Sequence, residues 1–336
     1  MFCGAGGLSL GLGAAGITVV GGVELEADAA LTWASVHPGA QLVHGDARHV
    51  EWRQFDGVDL VVGGPPCQPW STGGLRRGED DERDGWPAFV FALECLRPRA
   101  FLAENVTGLA EGVMRPRWQA LLGQFEKLGY ALSTRVINAA DYGVVQKRRR
   151  RILVGVRGGE AFSFPPPTHG PGRPKPWRCS GSVLSAEPFG EPNTSPVTYA
   201  LRPDLRKDPY AGHIFNGGGR PIDLRAPAPT LLASMGGNKT PWLDTQGVVA
   251  AYHAHLLAGG GPRSGAVPGA RRITAEEAAL IQSFPRGMSF AGRRSSRYRQ
   301  VGNAVPPLLA EVLGRALVMQ FEGLVPAAST LEPPSL

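Results

Sequence analysis

Apolar segments that end in a glycine or a carboxylate recur through the first third of the chain, and they constrain its fold more than any other feature. Residues 17–23, 58–62 and 100–103 are short apolar runs, which are typical of buried strands. Glu24 follows the first run and Glu104 the third. Because the carboxyl ends of parallel strands meet at one edge of a sheet, such groups converge on one place. The pattern predicts an α/β fold.

A glycine-rich turn lies at the start of the chain. Residues 2–7 read F-C-G-A-G-G and run into Leu8 and Leu10, as in the turn from a first strand into a first helix. Such turns let backbone N–H groups approach a ligand closely. Glu24, about 20 residues further on, is placed to bind ribose hydroxyls, although a solvated helix N-terminus also favours carboxylates. Asp46 ends a further strand-like segment, so three ligand groups would meet at the same sheet edge.

A cysteine stands between prolines directly after the apolar run 58–62. Residues 63–71 read G-G-P-P-C-Q-P-W-S. A strand that opens onto a proline-stiffened loop is a common way for α/β proteins to present a reactive side chain. From these residues alone, Cys67 is either a nucleophile or a small buried side chain.

The composition favours a cytosolic protein with a packed core. The chain has 336 residues, of which 43% are hydrophobic, and its net charge of +6 is a weak indication of a polyanionic partner. Its four cysteines include no C-x-x-C pair, so neither a zinc site nor a disulfide framework is indicated. Free thiols fit a reducing cytosol, and the sequence predicts neither a membrane span nor a signal peptide.

The composition changes near residue 157. Proline and glycine clusters interrupt the pattern from there to about residue 265, which indicates a second, loop-rich domain. Helical periodicity returns near residue 273, where Thr274 and Glu277 form a T-x-x-E capping box. We predict a first domain over 1–156, an inserted domain over 157–269, a return to the first domain over 270–325, and a tail over 326–336.

Five motifs occur in an order that resembles the carbon-5 cytosine-specific DNA methyltransferase family. They are F-C-G-A-G-G at 2–7, P-P-C-Q at 65–68, E-N-V at 104–106, Q-K-R-R-R at 146–150 and Q-V-G-N-A-V-P-P at 300–307. The resemblance covers residues 1–156 and 270–325. It implies a Rossmann-like S-adenosylmethionine-dependent methyltransferase sheet with a small, loop-rich target-recognition domain.

The resemblance implies a reaction in which a cysteine adds to the base. Cys67 resembles the nucleophile that attacks carbon-6 of a flipped-out cytosine, so that carbon-5 can take the methyl group of S-adenosylmethionine. Glu104 resembles the residue that binds the N3 edge of the base as an acid. Arg148 and Arg150 resemble the paired arginines of the family, which would hold the carbonyl of the base or a flanking phosphate.

The resemblance also implies which residues bind the cofactor and DNA. The expected cofactor pocket combines the glycine turn, three strand ends and the last motif, namely Phe2, Gly4, Ala5, Gly6, Gly7, Leu8, Glu24, Leu25, Asp46, Ala47, Pro65, Asn303 and Val305. The expected DNA contacts are Ser71, Arg76, Arg77, Gln146, Thr230 and Leu231. The expected partner is double-stranded DNA, with no metal and no membrane. The chain is expected to act as a cytoplasmic monomer, and a companion restriction endonuclease would fit this role.

The chain departs from the family pattern at three positions. Val145 stands where a proline usually precedes the glutamine, and Thr107 stands where a proline often follows E-N-V. Neither change removes a reacting group. Met1 takes the Leu position of the Asp-Leu pair that usually ends a first strand before F-C-G. We therefore expect the first strand to be truncated or the start to be misassigned.

Three other functions fit parts of the sequence. An RNA-directed relative that methylates tRNA cytosine has the same motifs, but the long insertion over 157–269 favours DNA. A non-enzymatic DNA-binding relative would account for a truncated start, although Cys67, Glu104 and Arg148 are retained. A nucleotide-dependent dehydrogenase has only the glycine turn in its favour.

Overall fold

The structure is a computed structural model that describes residues 1–66, 84–216 and 219–321. The chain forms two compact units. Unit 1 comprises residues 1–137 and 149–166, together with the described residues from Pro307 onward. Unit 2 comprises residues 138–148 and 167–306.

The secondary-structure elements are numbered along the chain. The strands are β1 (Gly21–Glu24), β2 (Gln41–His44), β3 (Leu60–Gly63), β4 (Ala100–Asn105), β5 (Tyr130–Asn138), β6 (Arg149–Arg157), β7 (Tyr199–Asp204), β8 (His213–Phe215), β9 (Trp242–Asp244) and β10 (Ala270–Arg272). The helices are α1 (Gly7–Ala14), α2 (Ala27–Val36), α3 (Trp86–Leu96), α4 (Arg115–Lys127), α5 (Val248–Leu257), α6 (Ala275–Ile281), α7 (Arg294–Asn303) and α8 (Pro307–Gln320).

Two sheets form the framework of unit 1. Strands β1 and β2 pair in parallel, and a second sheet has the strand order β3-β4-β6-β5. Strands β3 and β4 are also parallel, which requires a crossover connection, and α3 lies in that connection. Strand β6 then pairs antiparallel with β4. The α/β fold predicted from the strand-like segments is confirmed, and its sheet is of the Rossmann-like type.

The first residues of the chain lie between the two sheets. The Met1 ammonium donates to Val62 O of β3 at 2.7 Å, and Cys3 N donates to Val23 O of β1 at 3.1 Å. Residues 1–3 therefore contact both sheets by one backbone hydrogen bond each. The expectation that a longer first strand belongs at this place stays a prediction.

Aromatic side chains join the helices of unit 1 to the second sheet. Phe89 of α3, Phe101 of β4 and Phe125 of α4 are all fully buried. The ring centroids of Phe101 and Phe125 lie 4.7 Å apart, and those of Phe89 and Phe101 lie 5.9 Å apart. These rings belong to one hydrophobic core, which joins α3 and α4 to β4.

Helix α1 packs directly on α8. A Cβ atom added at Gly11 would overlap Pro307 O, and one added at Gly314 would lie 2.8 Å from Ala15 Cβ. The two helices can approach this closely only because glycine stands at both contact points. The first and the last described helices of unit 1 therefore depend on each other.

Unit 2 contains short antiparallel strand pairs and helices α5 to α7 around its own core. Strands β7 and β8 pair with each other, as do β9 and β10. Arg272 of β10 is only 3% exposed, and its guanidinium donates to the carbonyls of Ser195, Pro196 and Thr240. These hydrogen bonds join separate loops to one buried cation, and they stabilise a segment that has little regular structure.

The unit boundaries differ from the predicted domain boundaries. Residues 138–148 and 270–306 belong to unit 2, whereas the sequence placed both in the first domain. The first of these segments joins unit 2 because Ala228 N donates to Val145 O and Lys147 N donates to Ala228 O, each at 2.8 Å. That the inserted residues recognise the target stays a prediction.

The segment from Arg294 to Gln320 is the one helical stretch of the described chain that is long and apolar enough to cross a membrane. It consists of α7 and α8, which are separated at residues 304–306. Within its most apolar part 67% of the residues are buried, as is typical of core helices in globular proteins.

The capping box predicted from the sequence is present at the start of α6. The Thr274 hydroxyl accepts from Glu277 N at 3.0 Å, and the Glu277 carboxylate accepts from Thr274 N at 2.9 Å. Arg271 also pairs with Glu277 at 2.7 Å, so the box is joined to β10. The box thus stabilises the junction between β10 and α6.

We predict that Thr274→Ala lowers the free energy of unfolding by about 1–2 kcal/mol, because a buried backbone N–H loses its acceptor. Urea denaturation of the full chain measures this change. Ser295→Ala, an exposed substitution in the first turn of α7, serves as the control and should change stability by less than about 0.5 kcal/mol.

Candidate active site

The glycine turn at residues 2–7 adopts a conformation that most side chains disfavour. Gly4 has φ +53° and Gly6 has φ +87°, and Phe2 also has a positive φ of 50°. Gly6 is the N-cap of α1. A Cβ at Gly6 would lie 3.2 Å from Trp33 Cδ1, so both the backbone conformation and the packing require glycine there.

The Glu24 carboxylate holds this turn from the side of β1. Its Oε2 accepts from Gly4 N at 2.7 Å, and its Oε1 accepts from Glu26 N at 2.9 Å. The structure thus brings Glu24 to the glycine turn, as the sequence predicted. Leu25, which follows, is 62% exposed beside them.

Asp46 lies two residues after β2, at the start of a short helical turn, and its carboxylate contacts Arg48. The carboxylate accepts from Arg48 N at 2.9 Å and from Arg48 Nε at 3.0 Å. These hydrogen bonds lower the pKa of Asp46 to about 2, so the side chain is ionised at neutral pH. Ala47 is buried between them in the short helical turn. The sequence did not predict that Asp46 would have an intramolecular cation as partner.

The residues that precede Cys67 are held at two points. Asn105 Nδ2 donates to Pro65 O at 2.8 Å, and Gly85 N donates to Pro66 O at 3.0 Å. Asp84 in turn accepts from Trp86 N at 3.2 Å and forms an ion pair with Arg117. The backbone on both sides of residues 67–83 is therefore fixed.

Four of the predicted site residues fall outside the described ranges. They are Cys67, Ser71, Arg76 and Arg77. Their roles stay predictions.

Glu104 and Arg150 form an ion pair at the carboxyl end of β4. Arg150 Nε lies 2.8 Å from Glu104 Oε1, and the two side chains are only 15% and 10% exposed. The angle is poor for a hydrogen bond, and Glu104 Oε1 has no hydrogen-bond partner among the described residues. A Cβ at Gly64 would lie 3.5 Å from Glu104 Oε2, so the carboxyl group is next to the backbone that leads to Cys67.

Arg148 belongs to unit 2, although only one residue separates it from Arg150. It is 1% exposed, and its Nη1 donates to Leu231 O at 3.3 Å while its backbone N donates to the Asn138 side chain at 3.1 Å. The two arginines that the sequence treated as a pair therefore have separate surroundings. Strand β6 begins between them, at Arg149.

The predicted DNA-contacting residues of unit 2 lie together. Gln146 Oε1 accepts from Leu231 N at 3.3 Å, and the Thr230 hydroxyl donates to Lys147 O at 2.7 Å. Gln146 is fully buried and its side-chain N has no hydrogen-bond partner within the described chain. The Q-K-R motif and the A-P-T-L motif thus form one structural element.

The last motif contributes Asn303 and Val305, which also belong to unit 2. Asn303 is exposed at the end of α7, whereas Val305 is buried. The glycine before them is required by packing, because a Cβ at Gly302 would lie 2.5 Å from the backbone of Leu232. Their predicted role in closing the cofactor pocket stays a prediction.

Two of the described cysteines have thiols with a raised pKa. Burial raises the pKa of Cys3 to about 12, and desolvation also raises the pKa of Cys95. Because the thiolate is the nucleophilic form, neither thiol is activated for attack. Within the described ranges, no group of three or more His, Cys, Asp or Glu side chains could hold a metal ion.

Sequence reasoning missed two contributions to this region. Asn105 fixes Pro65, and its place directly after Glu104 at a strand end was a usable signal. Ser9, Trp33 and His37 form a hydrogen-bonded cluster behind the glycine turn. No sequence signal could have found this cluster, because the three residues come together only when α1 packs against α2.

The chain belongs to the C-5 cytosine-specific DNA methylase family. The model of that family matches residues 1–178 and 235–319. Among its relatives are the Type II methyltransferase M.NgoMIV of Neisseria gonorrhoeae, 31% identical over 94% of this chain and 95% of the relative, and M.AplI of Arthrospira platensis, 31% identical over 96% of this chain and 85% of the relative. The chain is therefore a DNA (cytosine-5-)-methyltransferase by family.

Solved structures show the same fold. The S. pombe Dnmt2 methyltransferase superposes with a TM-score of 0.67, at 16% identity over 95% of this chain and 97% of that chain. Proteins of this family and fold depend in general on S-adenosylmethionine.

We predict that Gly6→Ala weakens S-adenosylmethionine binding at least tenfold, because an L-residue at this φ is strained by about 1–3 kcal/mol and its Cβ presses on Trp33. Isothermal titration of the purified chain measures the affinity.

Gly13→Ala is the matched control in the same helix. An added Cβ at Gly13 meets no atom within 4 Å, so this variant should bind as tightly as the wild type and be slightly more stable. Equal affinity of Gly6→Ala and Gly13→Ala would contradict the role assigned to the turn.

Proposed function

We propose that this protein methylates carbon-5 of cytosine in double-stranded DNA with S-adenosylmethionine, through a covalent adduct of Cys67, as the modification enzyme of a Type II system. One observation carries the proposal most strongly. The Glu104–Arg150 pair stands at the carboxyl end of β4, next to Gly64 and to the Pro65 carbonyl that Asn105 holds. An acidic group and the residues leading to the thiol are thus neighbours in one unit.

The proposed reaction needs the Cys67 thiol as nucleophile and the Glu104 carboxyl group as acid. Carbon-5 of cytosine is a poor nucleophile, and addition of the Cys67 thiolate to carbon-6 gives it enamine character. S-adenosylmethionine supplies the methyl group that carbon-5 then takes. The carbon-5 proton is lost to a base or water, the bond from sulfur to carbon-6 breaks, and Cys67 leaves as thiolate. The target base must leave the duplex stack for this reaction, at a cost of a few kcal/mol.

Glu104 would act at N3 of the base. As sulfur adds to carbon-6, electron density moves to N3, and a carboxyl group within hydrogen-bond distance stabilises it by sharing a proton. The orientation of Glu104 is held by Arg150 at 2.8 Å. We assign the contact with N3 to the Glu104 carboxyl group, whose Oε1 pairs with Arg150.

The residues of the glycine turn and of β1 fit the expected cofactor. Backbone N–H groups at the start of α1 suit an anionic carboxylate. Glu24 lies at the turn and would bind the ribose hydroxyls, Leu25 offers an apolar face to the adenine, and Asp46 retains acceptor capacity beyond its Arg48 contacts for the adenine amino group. These roles follow from the family resemblance and from the placement of the side chains.

The setting of the reaction is part of the proposal. The relatives named above are Type II methyltransferases, and this supports a bacterial modification enzyme that acts in the cytoplasm, accompanied by a restriction endonuclease. We propose that the chain acts as a monomer on duplex DNA. Of the three predicted contacts in unit 2, only Thr230 is partly exposed, so the buried Gln146 and Leu231 would support the DNA-contacting loop from behind.

We predict that the purified chain transfers the methyl group of S-adenosylmethionine to duplex DNA, with 5-methylcytosine detected by mass spectrometry and its position by bisulfite sequencing. A tRNA substrate should give no product at the same concentration. Methylation of tRNA in preference to DNA would overturn the substrate, and methylation of neither would overturn the activity.

We predict that the protein forms a covalent complex with duplex DNA containing 5-fluorocytosine, because fluorine cannot leave carbon-5 as a proton does. Cys67→Ser should abolish the complex, as seen by denaturing electrophoresis. Cys95→Ser is the control, since desolvation raises the pKa of that exposed thiol, and it should trap DNA as the wild type does.

We predict that Glu104→Gln lowers the single-turnover rate of methyl transfer by about 100- to 10,000-fold, because the amide cannot share a proton with N3. Arg150→Gln should lower it by about 100-fold through misorientation of Glu104. Arg149→Gln is the control for the lost charge, since Arg149 is an exposed neighbour on β6, and should retain most of the rate at saturating DNA. Equal losses in both arginine variants would contradict a specific role for Arg150.

A further inference from the structure

We propose that Ser9 is a positioning residue for the cofactor-binding turn, and that His37 and Trp33 hold its hydroxyl in the required orientation. The inference rests on the proposed function in one respect, namely that the glycine turn binds S-adenosylmethionine. It assigns a role to three residues that do not line the predicted pocket.

The cluster lies behind the turn, between α1 and α2. Ser9 Oγ is 3.1 Å from Gly6 O, 2.8 Å from His37 Nε2 and 3.1 Å from Trp33 Nε1. Ser9 is 9% exposed and Trp33 is fully buried. The rings of Trp33 and His37 also contact each other, with centroids 4.6 Å apart. All of these contacts lie within unit 1.

Counting protons assigns the direction of each hydrogen bond. The Trp33 indole can only donate, so Ser9 Oγ accepts from it. The hydroxyl has one proton, and two acceptors compete for it, Gly6 O and a deprotonated His37 Nε2. If His37 carries its proton on Nε2 and donates, Ser9 is free to donate to Gly6 O, and all three contacts of the Ser9 hydroxyl are hydrogen bonds. We assign this tautomer to His37.

The reverse arrangement leaves the turn less well held. If Ser9 donated to His37, Gly6 O would keep only the backbone hydrogen bond from Leu10 N at 2.8 Å. Burial lowers the pKa of His37, so its ring is neutral near pH 7 and the choice of tautomer decides which arrangement is formed.

Gly6 is the point of the turn at which this restraint matters. Glycine adopts positive and negative φ about equally readily, so contacts with neighbouring side chains must select the φ of +87° at Gly6. Glu24 restrains the turn at Gly4 N, and Ser9 restrains it at Gly6 O. With both ends held, the N–H groups at the start of α1 are fixed before a ligand arrives, which reduces the entropy lost on binding.

The test measures S-adenosylmethionine affinity by isothermal titration, together with KM and kcat on DNA, in the full chain. Ser9→Ala should raise both the dissociation constant and the KM for S-adenosylmethionine about fivefold to tenfold, the loss expected for one hydrogen bond. The turnover rate at saturating cofactor should change less than twofold.

His37→Leu should raise the dissociation constant about threefold, and His37→Gln, which keeps an N–H donor, should restore it.

The double variant Ser9→Ala/His37→Leu separates positioning from general destabilisation. Because His37 acts only through the Ser9 hydroxyl, the double variant should bind as Ser9→Ala does, and not with the product of the two losses. Ser35→Ala is the matched control, since its hydroxyl donates to Thr32 O on the same helix α2 without reaching the turn. It should bind as the wild type.

Three results would overturn the proposal. They are wild-type affinity in Ser9→Ala, multiplied losses in the double variant, or an equal loss in Ser35→Ala. If Ser9→Ala does not fold, the dissociation constants of His37→Leu and His37→Gln are compared instead. Equal constants in these two variants would overturn the proposal. A wild-type protein that binds no S-adenosylmethionine would overturn the proposed function as well, whereas binding that is insensitive to Ser9 would overturn the positioning role only.

Discussion

The parallel pairing of β3 with β4 is the constraint on which the candidate site depends. Gly63 pairs with Ala103 across the two strands. The backbone after β3 therefore continues beside Glu104 and Asn105 at the end of β4, and the Asn105 amide reaches Pro65 O at 2.8 Å. A shift of one residue in this register would turn Glu104 to the other face of the sheet. The buried Phe101 and Leu102 in the middle of β4 oppose such a shift.

Much of this arrangement could be predicted from local sequence patterns. Strand ends with a glycine or a carboxylate predicted the α/β fold, and Glu24 does contact the glycine turn. The T-x-x-E pattern predicted the capping box of Thr274 and Glu277, which the structure confirms. These features follow from residues close together in sequence, or from the general rule that parallel strands end at one edge.

Partners that are distant in sequence could not be predicted in the same way. The run Q-K-R-R-R gives no sign that Arg150 pairs with Glu104 while Arg148 is buried in the other unit against Leu231 O. The unit boundary passes between them because β6 begins at Arg149. Asp46 and Arg48 are close in sequence, but their ion pair could not be predicted either, because it depends on the side-chain conformation of a short helical turn.

The contact between α1 and α8 has a consequence for how the protein is made. Gly11 and Gly314 allow the two helices to touch, yet these helices come from opposite ends of the described chain. Closing so long a loop is entropically costly and slows folding. During synthesis on the ribosome, the apolar face of α1 stays uncovered until the segment containing α8 has emerged. The packing of α1 is therefore completed only after almost all of unit 1 has been synthesised.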